Sequence, residues 1–228
     1  MLNPYYQDDY ATIYHGDCRE VLPLLPKVDL VLTDPPYGIG EAAGKNKSRS
    51  KPFGSRKDAK NTRGTEIAAK DYGVQSWDNR PVNWGLLWEL LSLGKYACCF
   101  GGNYYPVPPS SAWLVWDKQN SGDFADCELA WTNYGTAVRI KRHMWNGMLR
   151  LNRERRDHPT QKPLDVILWA LQLCPGEPQT ILDPFMGSGT TLRAAKDLER
   201  QSIGIEIEEK YCEIAVKRLR QMVLPLEP

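Results

Sequence analysis

The sequence lacks the patterns that define several common classes of protein. No stretch approaches the roughly 18 apolar residues of a membrane-spanning helix, and the first residues lack the basic and apolar regions of a signal peptide. A cytoplasmic location is therefore expected. No Cys-x-x-Cys pair occurs, and none of the three histidines lies at zinc-ligand spacing from a cysteine pair. We expect the six cysteines to be reduced and buried, and we predict no metal site.

The chain also lacks the large positive charge of a generally basic nucleic-acid-binding protein, since its net charge is +1. The cations are concentrated, however. Residues 41–70 and residues 139–156 each carry a net charge of +6, so the rest of the chain carries −11. Two basic segments in an otherwise acidic chain indicate local contact with a polyanion, although solvated loops would give the same composition. The candidate contacts are Lys45, Lys47, Arg49, Lys51, Arg56, Lys57, Arg139, Arg142, Arg150, Arg153, Arg155 and Arg156.

Apolar runs of strand length alternate with helical patterns along most of the chain. This alternation predicts an α/β fold with a largely parallel, twisted sheet and helices on both faces. Strands are predicted at residues 11–14, 28–33, 96–100, 112–116, 180–183 and 202–206, and helices at 18–25, 82–93, 164–173, 190–198 and 208–222. Residues 128–131 and 136–140 are predicted to form an antiparallel pair through a turn at 133–135.

One region interrupts this alternation. Residues 38–76 are rich in glycine, serine, lysine and arginine and show almost no apolar periodicity. A loop of this length is uncommon in a compact domain unless it is functional or disordered. We therefore predict one domain over residues 1–228, with a basic mobile loop at about 38–76.

Asp34-Pro35-Pro36-Tyr37 follows the predicted strand at residues 28–33. Each proline fixes its own φ, removes an N–H group and restrains the residue before it. The result is a rigid segment with a carboxylate, backbone carbonyls and an aromatic ring. Hydrogen-bond acceptors beside a stacking surface suit the binding of a planar ring through its amino group.

A second motif, residues 183–191, lies between a predicted strand and a predicted helix. Gly187 and Gly189 allow close approach of the backbone to a ligand at the helix N-terminus. Glu206 ends the next strand, 17 residues after Gly189, near the spacing at which an acid meets ribose hydroxyls. The third glycine of the dinucleotide fingerprint is replaced by Leu192, which disfavours a nicotinamide-dependent dehydrogenase and favours a nucleoside cofactor without a pyrophosphate.

Together, the two motifs resemble those of the S-adenosylmethionine-dependent amino-methyltransferases of DNA. The order, with the catalytic motif before the cofactor loop, resembles the β group, a circularly permuted form of the Rossmann-like methyltransferase fold. His158-Pro159-Thr160-Gln161-Lys162-Pro163 is highly specific to this group. The resemblance covers most of the chain. Residues 124–131 are similar to a segment common in phage and prophage members, for which we have no role.

The resemblance implies S-adenosylmethionine as cofactor, S-adenosylhomocysteine as product, and no metal. It implies cofactor contacts from Asp17, Cys18, Asp34, Thr160, Lys162, Asp183, Phe185, Gly187, Ser188, Gly189, Thr190, Thr191, Glu206 and Ile207. It also implies that residues 139–157 form a small target-recognition segment. Relatives of this kind are often dimers, so a homodimer is one alternative.

The implied reaction is methylation of the exocyclic N6 of adenine in double-stranded DNA, with the target base flipped out of the duplex. The implied catalytic residues are Asp34, Pro35, Pro36 and Tyr37, in which Asp34 and the Pro35 carbonyl accept the amino hydrogens and Tyr37 stacks on the base. In this family, Asp at the first position usually accompanies adenine and Ser cytosine. Three alternatives stay open: N4-cytosine methylation of DNA, adenine methylation of RNA, and a nucleic-acid-binding module without catalysis.

Overall fold

The computed structural model describes residues 3–38, 80–119, 125–145 and 161–221. These residues form one mixed sheet with helices on both faces. The strands are β1 (Tyr6–Gln7), β2 (Ala11–His15), β3 (Val28–Thr33), β4 (Gly94–Phe100), β5 (Trp113–Asp117), β6 (Cys127–Thr132), β7 (Arg139–Arg142), β8 (Thr180–Asp183) and β9 (Gln201–Glu206). The helices are α1 (Cys18–Val21), α2 (Trp84–Leu91), α3 (Leu164–Gln172), α4 (Thr190–Asp197) and α5 (Glu209–Arg220).

The strand order is β1-β2-β9-β8-β3-β4-β6-β5-β7. The five strands from β2 to β4 in this order are mutually parallel, so their carboxyl ends lie at one edge of the sheet. Strand β6 runs antiparallel to both β4 and β5. Because β6 is reversed, its beginning, rather than its end, lies at the edge where the parallel strands finish.

The central strand β3 shows why the sheet is covered on both faces. Leu30 and Leu32 belong to a core that includes α3 and α4, whereas Val31 belongs to a second core with Leu87 and Leu91 of α2. Successive side chains of a strand point to opposite faces. The apolar run Leu30–Leu32 is therefore typical of a parallel strand buried on both sides.

The α/β prediction is confirmed, but the predicted antiparallel pair is wrong. Strand β7 pairs with β5 in parallel, with Leu114 opposite Arg139. Both edges of β6 are already occupied by β4 and β5, so no edge remains for a hairpin partner. The predicted turn is instead bound to β4, because the Asn133 side chain accepts from the Ala97 N–H at 2.8 Å.

Smaller differences have local causes. Helix α1 ends at Val21 and continues as a single tighter turn over Leu22–Leu24, since Pro23 has no N–H to extend the α-helical ladder. Five cysteines are buried, as predicted, but Cys127 is exposed because it is the first residue of β6 at the rim of the sheet.

The single-domain prediction and the predicted loop at 38–76 stay predictions, since nearly all of that loop lies outside the described residues. Within the described part of the chain, no helix has the length and apolar character needed to cross a membrane.

Candidate active site

The ends of four neighbouring strands bring the two sequence motifs together. Asp34 follows β3, Phe100 ends β4, Asp183 ends β8 and Glu206 ends β9. Ligands of open α/β sheets bind outside the carboxyl ends of the strands. A cavity of about 560 Å³ lies at this edge, and all four residues line it.

The Asp34 carboxylate has a hydrogen-bond partner on each oxygen. The Tyr37 hydroxyl donates to Oδ1, and Lys162 Nζ lies 2.5 Å from Oδ2. Burial raises the pKa of Asp34, and the Lys162 ammonium offsets only part of that rise. The carboxylate is therefore held in a fixed orientation by two donors in a partly desolvated position.

The proline segment is fixed by bonds to its second carbonyl. The Pro36 carbonyl accepts from the Tyr105 hydroxyl at 2.5 Å and from the Val82 N–H at 3.2 Å. Tyr37 is also bridged to Pro81, on the segment that leads into α2. These bonds attach residues 34–37 to a separate part of the chain, so the geometry of this segment does not depend on the prolines alone.

The Tyr37 ring lies between a tyrosine and a glycine. It stacks on Tyr104 with ring centroids 4.8 Å apart and an interplanar angle of 16°. Gly101 has φ +66°, and a Cβ built there would overlap the Tyr37 ring. Glycine is therefore needed at position 101 both for the left-handed backbone and for the close approach of the ring.

Lys162 connects Asp34 to a second carboxylate that the sequence did not indicate. Its Nζ lies 3.0 Å from Glu128 Oε2, and Glu128 Oε1 lies 2.5 Å from Lys118 Nζ. Burial opposes ionisation of Glu128, but the ammonium groups of Lys162 and Lys118 outweigh it and lower the pKa of Glu128 to about 2. The two carboxylates in turn raise the pKa of Lys162 despite its burial.

The opposite wall of the cavity carries Glu206 and Asp183. Glu206 accepts the N–H groups of Gly187 at 3.0 Å and Glu208 at 2.8 Å. Burial nevertheless raises the pKa of Glu206 to about 7. Asp183 accepts from the Thr33 hydroxyl at 2.9 Å, and burial raises the pKa of this carboxyl to about 6. Both groups therefore favour a cationic ligand that would hold them ionised.

The glycine loop is packed tightly against α5. Gly189 has φ +75°, and a Cβ at this position would lie 2.7 Å from the Cβ of Ala215. Arg218 of α5 donates to the carbonyl and hydroxyl of Ser188 and to the Thr190 hydroxyl, each at 3.1 Å. Helix α5 thus positions the loop from the side away from the cavity, and the side that faces the cavity remains available to a ligand.

The first turn of α1 completes the cavity. Asp17 caps this helix by accepting the Arg19 N–H at 2.9 Å, and the hydrogen bonds from Arg19 lower the pKa of Asp17. Burial raises the pKa of the neighbouring Cys18 thiol to about 11, so this thiol is neutral at physiological pH.

Most predicted cofactor residues line this one cavity. They are Asp17, Cys18, Asp34, Lys162, Asp183, Phe185, Gly187, Ser188, Thr190, Thr191, Glu206 and Ile207. Gly189 lies behind the wall, against Ala215, and Thr160 lies outside the described residues. Sequence analysis missed Val82, Asn83 and Leu86, which line the cavity from the start of α2.

Only two predicted nucleic-acid contacts fall within the described residues. Arg142 ends β7 opposite Asp117 at the cavity edge of the sheet, and its Nε lies 3.5 Å from Asp117 Oδ2. Arg139 begins the same strand, about 10 Å away at the strand rise per residue. The others lie outside the described ranges: Lys45, Lys47, Arg49, Lys51, Arg56, Lys57, Arg150, Arg153, Arg155 and Arg156.

Comparison with known proteins agrees with this geometry. The N6_N4_Mtase family model, described as DNA methylase, matches residues 115–217. The chain is 29% identical to the type II methyltransferase M.ScaI of Streptomyces caespitosus, over 95% of this chain and 83% of that protein. It is 28% identical to M.HinfI of Haemophilus influenzae, over 97% and 72% respectively.

Two solved structures share the fold. The complex of M1.HpyAVI with S-adenosylmethionine superposes with a TM-score of 0.57 at 24% identity, over 91% of this chain and 99% of that one. The cytosine-N4-specific PvuII DNA methyltransferase gives 0.55 at 14% identity, over 97% and 92%.

The fold is that of the Rossmann-like methyltransferases. The chain is similar to the S-adenosylmethionine-dependent amino-methyltransferases of DNA, which modify adenine N6 or cytosine N4.

The cavity has the chemistry that S-adenosylmethionine requires. Asp17, Asp34, Asp183 and Glu206 surround it with carboxylates, which suit a ligand with a sulfonium and an ammonium group. Leu86 adds an apolar surface of the kind that a nucleoside base needs. When bound, this cofactor supplies a methyl group activated by positively charged sulfur.

Proposed function

We propose that this chain methylates the exocyclic N6 of adenine in double-stranded DNA, with the target base turned out of the helix beside Asp34. One observation supports this proposal above the others. A single cavity is lined by Asp34 and Pro36 of the catalytic segment and also by Gly187 and Glu206 of the cofactor wall. An acceptor for an amino group and a binding site for the methyl donor thus share one space.

The chain contributes orientation and electrostatics to this reaction. An adenine amino group is a poor nucleophile because its lone pair is delocalised into the ring. Asp34 accepts one amino hydrogen, since a carboxylate has about four lone-pair sites and Lys162 and Tyr37 occupy two of them. The Pro35 carbonyl accepts the other, which favours a pyramidal nitrogen with its lone pair directed at the methyl group.

Asp34 also suits the end of the reaction. The nitrogen gains the methyl carbon as the carbon–sulfur bond breaks, and it then loses one hydrogen as a proton. Because burial raises the pKa of Asp34, this carboxylate is a better proton acceptor than an exposed aspartate.

Tyr37 is the proposed stacking partner of the target base. Its ring stacks on the exposed ring of Tyr104, so this part of the chain already holds one planar group against Tyr37. Base–aromatic stacking contributes roughly 1–3 kcal/mol per base. We therefore expect Tyr37→Ala to lower methyl transfer severely and Tyr37→Phe to lower it mildly, with the loss of the hydroxyl bond to Asp34 as the reason for the smaller effect.

The two basic segments are the proposed contacts to DNA phosphates. Arg142 lies at the same sheet edge as Asp34, which supports a DNA path across that edge. A short target-recognition segment at 139–157 supports a short or relaxed recognition sequence. The homodimer, tested by light scattering of the purified protein, and the cytoplasmic location stay predictions.

Mass analysis of nucleosides tests the proposal. Duplex DNA and RNA are incubated with the wild-type protein or Asp34→Ala in the presence of S-adenosylmethionine, then digested. We expect N6-methyladenine only in DNA incubated with the wild-type protein. The affinity of Asp34→Ala for the cofactor should be within a few-fold of the wild-type affinity. Retained methylation by Asp34→Ala would contradict the assigned role.

Two other products would redirect the proposal. N4-methylcytosine would make the chain a cytosine enzyme, a second candidate because cytosine presents an amino group to the same acceptors. Methylated adenine in RNA alone would change the substrate. Cofactor binding without any methylated product would favour a binding module.

A further inference from the structure

Four charged side chains form a continuous chain of ion pairs behind the site. The distances are 2.5 Å from Asp34 Oδ2 to Lys162 Nζ, 3.0 Å from Lys162 Nζ to Glu128 Oε2, and 2.5 Å from Glu128 Oε1 to Lys118 Nζ. Asp34 follows β3, Lys162 precedes α3, Glu128 lies on β6 and Lys118 follows β5. The ion pairs therefore link side chains from four separate parts of the fold.

The centre of this ion chain is buried. The Lys162 side chain is 7% exposed, and its ammonium lies 5.4 Å from the centroid of the Phe100 ring and 5.9 Å from that of Tyr37. A buried ammonium needs counter-ions, because desolvation otherwise favours its neutral form. The two carboxylates supply them, and the ring faces add cation–π attraction.

We propose that Glu128 is a positioning residue for the proposed methyl transfer: its ion pair with Lys162, at 3.0 Å from Oε2 to Nζ, gives the buried ammonium a second counter-ion besides Asp34. This inference rests on the proposed function, in which Asp34 must accept a hydrogen from the target amino group. It also assigns a role to the segment 124–131, to which Glu128 belongs.

The physical reason is competition for Asp34. An ammonium has three donors and no acceptor. With Asp34 as its only partner, Lys162 would direct its donors at the same oxygens that the amino group needs. Glu128 attracts the same ammonium and so opposes its closer approach to the Asp34 oxygens. Lys118 holds Glu128 in turn, because it approaches the other oxygen of that carboxylate.

Removal of an anion and removal of a cation from this chain of ion pairs should shift the pKa of Asp34 in opposite directions. Among the described residues, the groups that face Asp34 come from four elements and the catalytic segment itself: Lys162, Glu128, Tyr37, Asp183 and Cys99. Removal of a neighbouring anion lowers the pKa of a carboxyl, and removal of a neighbouring cation raises it. Glu128→Gln is therefore expected to lower the pKa of Asp34, whereas Lys162→Met is expected to raise it.

The test is a titration of the cofactor-free protein, so it does not depend on activity. Carbon-13 carboxyl resonances of labelled aspartate are followed by NMR against pH, with the Asp34 resonance assigned through Asp34→Asn. The control is Glu213→Gln, which neutralises an ion-paired carboxylate on the exposed surface of α5. We expect shifts of opposite sign in Glu128→Gln and Lys162→Met and none in Glu213→Gln.

Kinetics on duplex DNA supply the second measurement. We expect Glu128→Gln to lower kcat by about 10- to 100-fold, the range for a misplaced catalytic group, with little change in the KM for S-adenosylmethionine. The acid limb of its pH–rate profile is expected at lower pH than in the wild-type protein. A purely structural role for Glu128 would lower activity without moving that limb.

Lys118→Met keeps the inference testable if Glu128→Gln does not fold. It removes only the outer cation, so we expect a small upward shift of the Asp34 pKa and a smaller loss of kcat. An active wild-type protein in which neither Glu128→Gln nor Lys118→Met moves the Asp34 titration would overturn this inference alone. A wild-type protein that binds cofactor but methylates nothing would overturn the proposed function itself.

Discussion

The parallel and antiparallel parts of the sheet contribute different things to the site. Strands β2, β9, β8, β3 and β4 run the same way and deliver the residues at their carboxyl ends, which line the cofactor cavity. Strand β6 runs the other way and delivers Glu128 from its beginning. In the proposed function, the parallel strands therefore bind the cofactor, and β6 controls the carboxylate of Asp34 that binds the target.

The direction of a strand determines whether its contribution to the site can be recognised in the sequence. A motif that follows a parallel strand is contiguous, as Asp34 to Tyr37 and residues 183–191 are. A residue near the start of an antiparallel strand, such as Glu128, is not followed by a loop of unusual composition that would mark it in the sequence. The four variants or conditions below test the division between the two parts, in order of decreasing expected effect.

Gly101→Ala changes the site where the parallel strands meet β6, since Gly101 follows β4 and contacts the Tyr37 ring. A Cβ at position 101 would overlap the Tyr37 ring and displace it. It would also strain the backbone, which has φ +66° there. We expect methyl transfer to fall by about 100-fold and the free energy of unfolding to fall by about 1–3 kcal/mol. Nucleoside analysis and thermal unfolding measure the two effects. The control Gly135→Ala has open space around the new methyl group and should change neither.

Glu206→Gln tests the parallel part alone. Replacement of the carboxylate removes a charged acceptor from the cofactor wall while the Gly187 and Glu208 N–H groups keep an amide oxygen as partner. We expect about tenfold weaker S-adenosylmethionine binding in calorimetry and little change in kcat at saturating cofactor, since a hydrogen bond to a charged group is worth about 1.5–3 kcal/mol. A loss of kcat equal to that of Asp34→Ala would remove the proposed division. Glu209→Gln, on an exposed residue, is the control.

Acidification should weaken cofactor binding in the same part of the fold. Burial raises the pKa of Glu206 to about 7 and that of Asp183 to about 6. Both carboxyls therefore take up protons as the pH falls from 8 to 6 and lose their attraction for a cationic ligand. We expect affinity to fall by about fivefold across this range. In Glu206→Gln the fall should be confined to the lower end; an affinity that rises on acidification would contradict the pKa assignments.

Arg142→Gln, at the end of the edge strand β7, has the smallest expected effect. One lost phosphate contact should weaken duplex binding by a few-fold and reduce the slope of log affinity against log salt by about 1. Cofactor affinity should not change. Arg139→Gln, at the other end of β7, should have a smaller effect, and equal effects would argue against a DNA path along the cavity edge.

Much of this architecture follows from the sequence because its signals are local. The apolar run at Val28–Thr33, the proline segment after it and the glycine loop after Asp183 each specify their own conformation. Once the strands are parallel, their carboxyl ends lie at the same edge of the sheet, and no further sequence signal is needed to bring the motifs together. The cavity could therefore be anticipated from motifs alone.

The partners of β7 and Glu128 could not be anticipated in the same way. Residues 136–140 look like the second strand of a hairpin, but pairing depends on which strand edges are free in the finished sheet. Glu128 offered one weak signal, a carboxylate within the apolar strand Cys127–Thr132. Its pairing with Lys162 depends on the reversed direction of β6, which no local pattern specifies.

The position of β7 also bears on aggregation through the edge of the sheet. This strand is the outermost in the described sheet beyond β5, and an edge strand offers unpaired backbone groups to other chains. Ile140 is 58% exposed on it and would favour such pairing. Arg139, Lys141 and Arg142 surround that isoleucine with positive charge. Neutralising these residues together should therefore promote aggregation of copies through their sheet edges, independently of any effect on DNA.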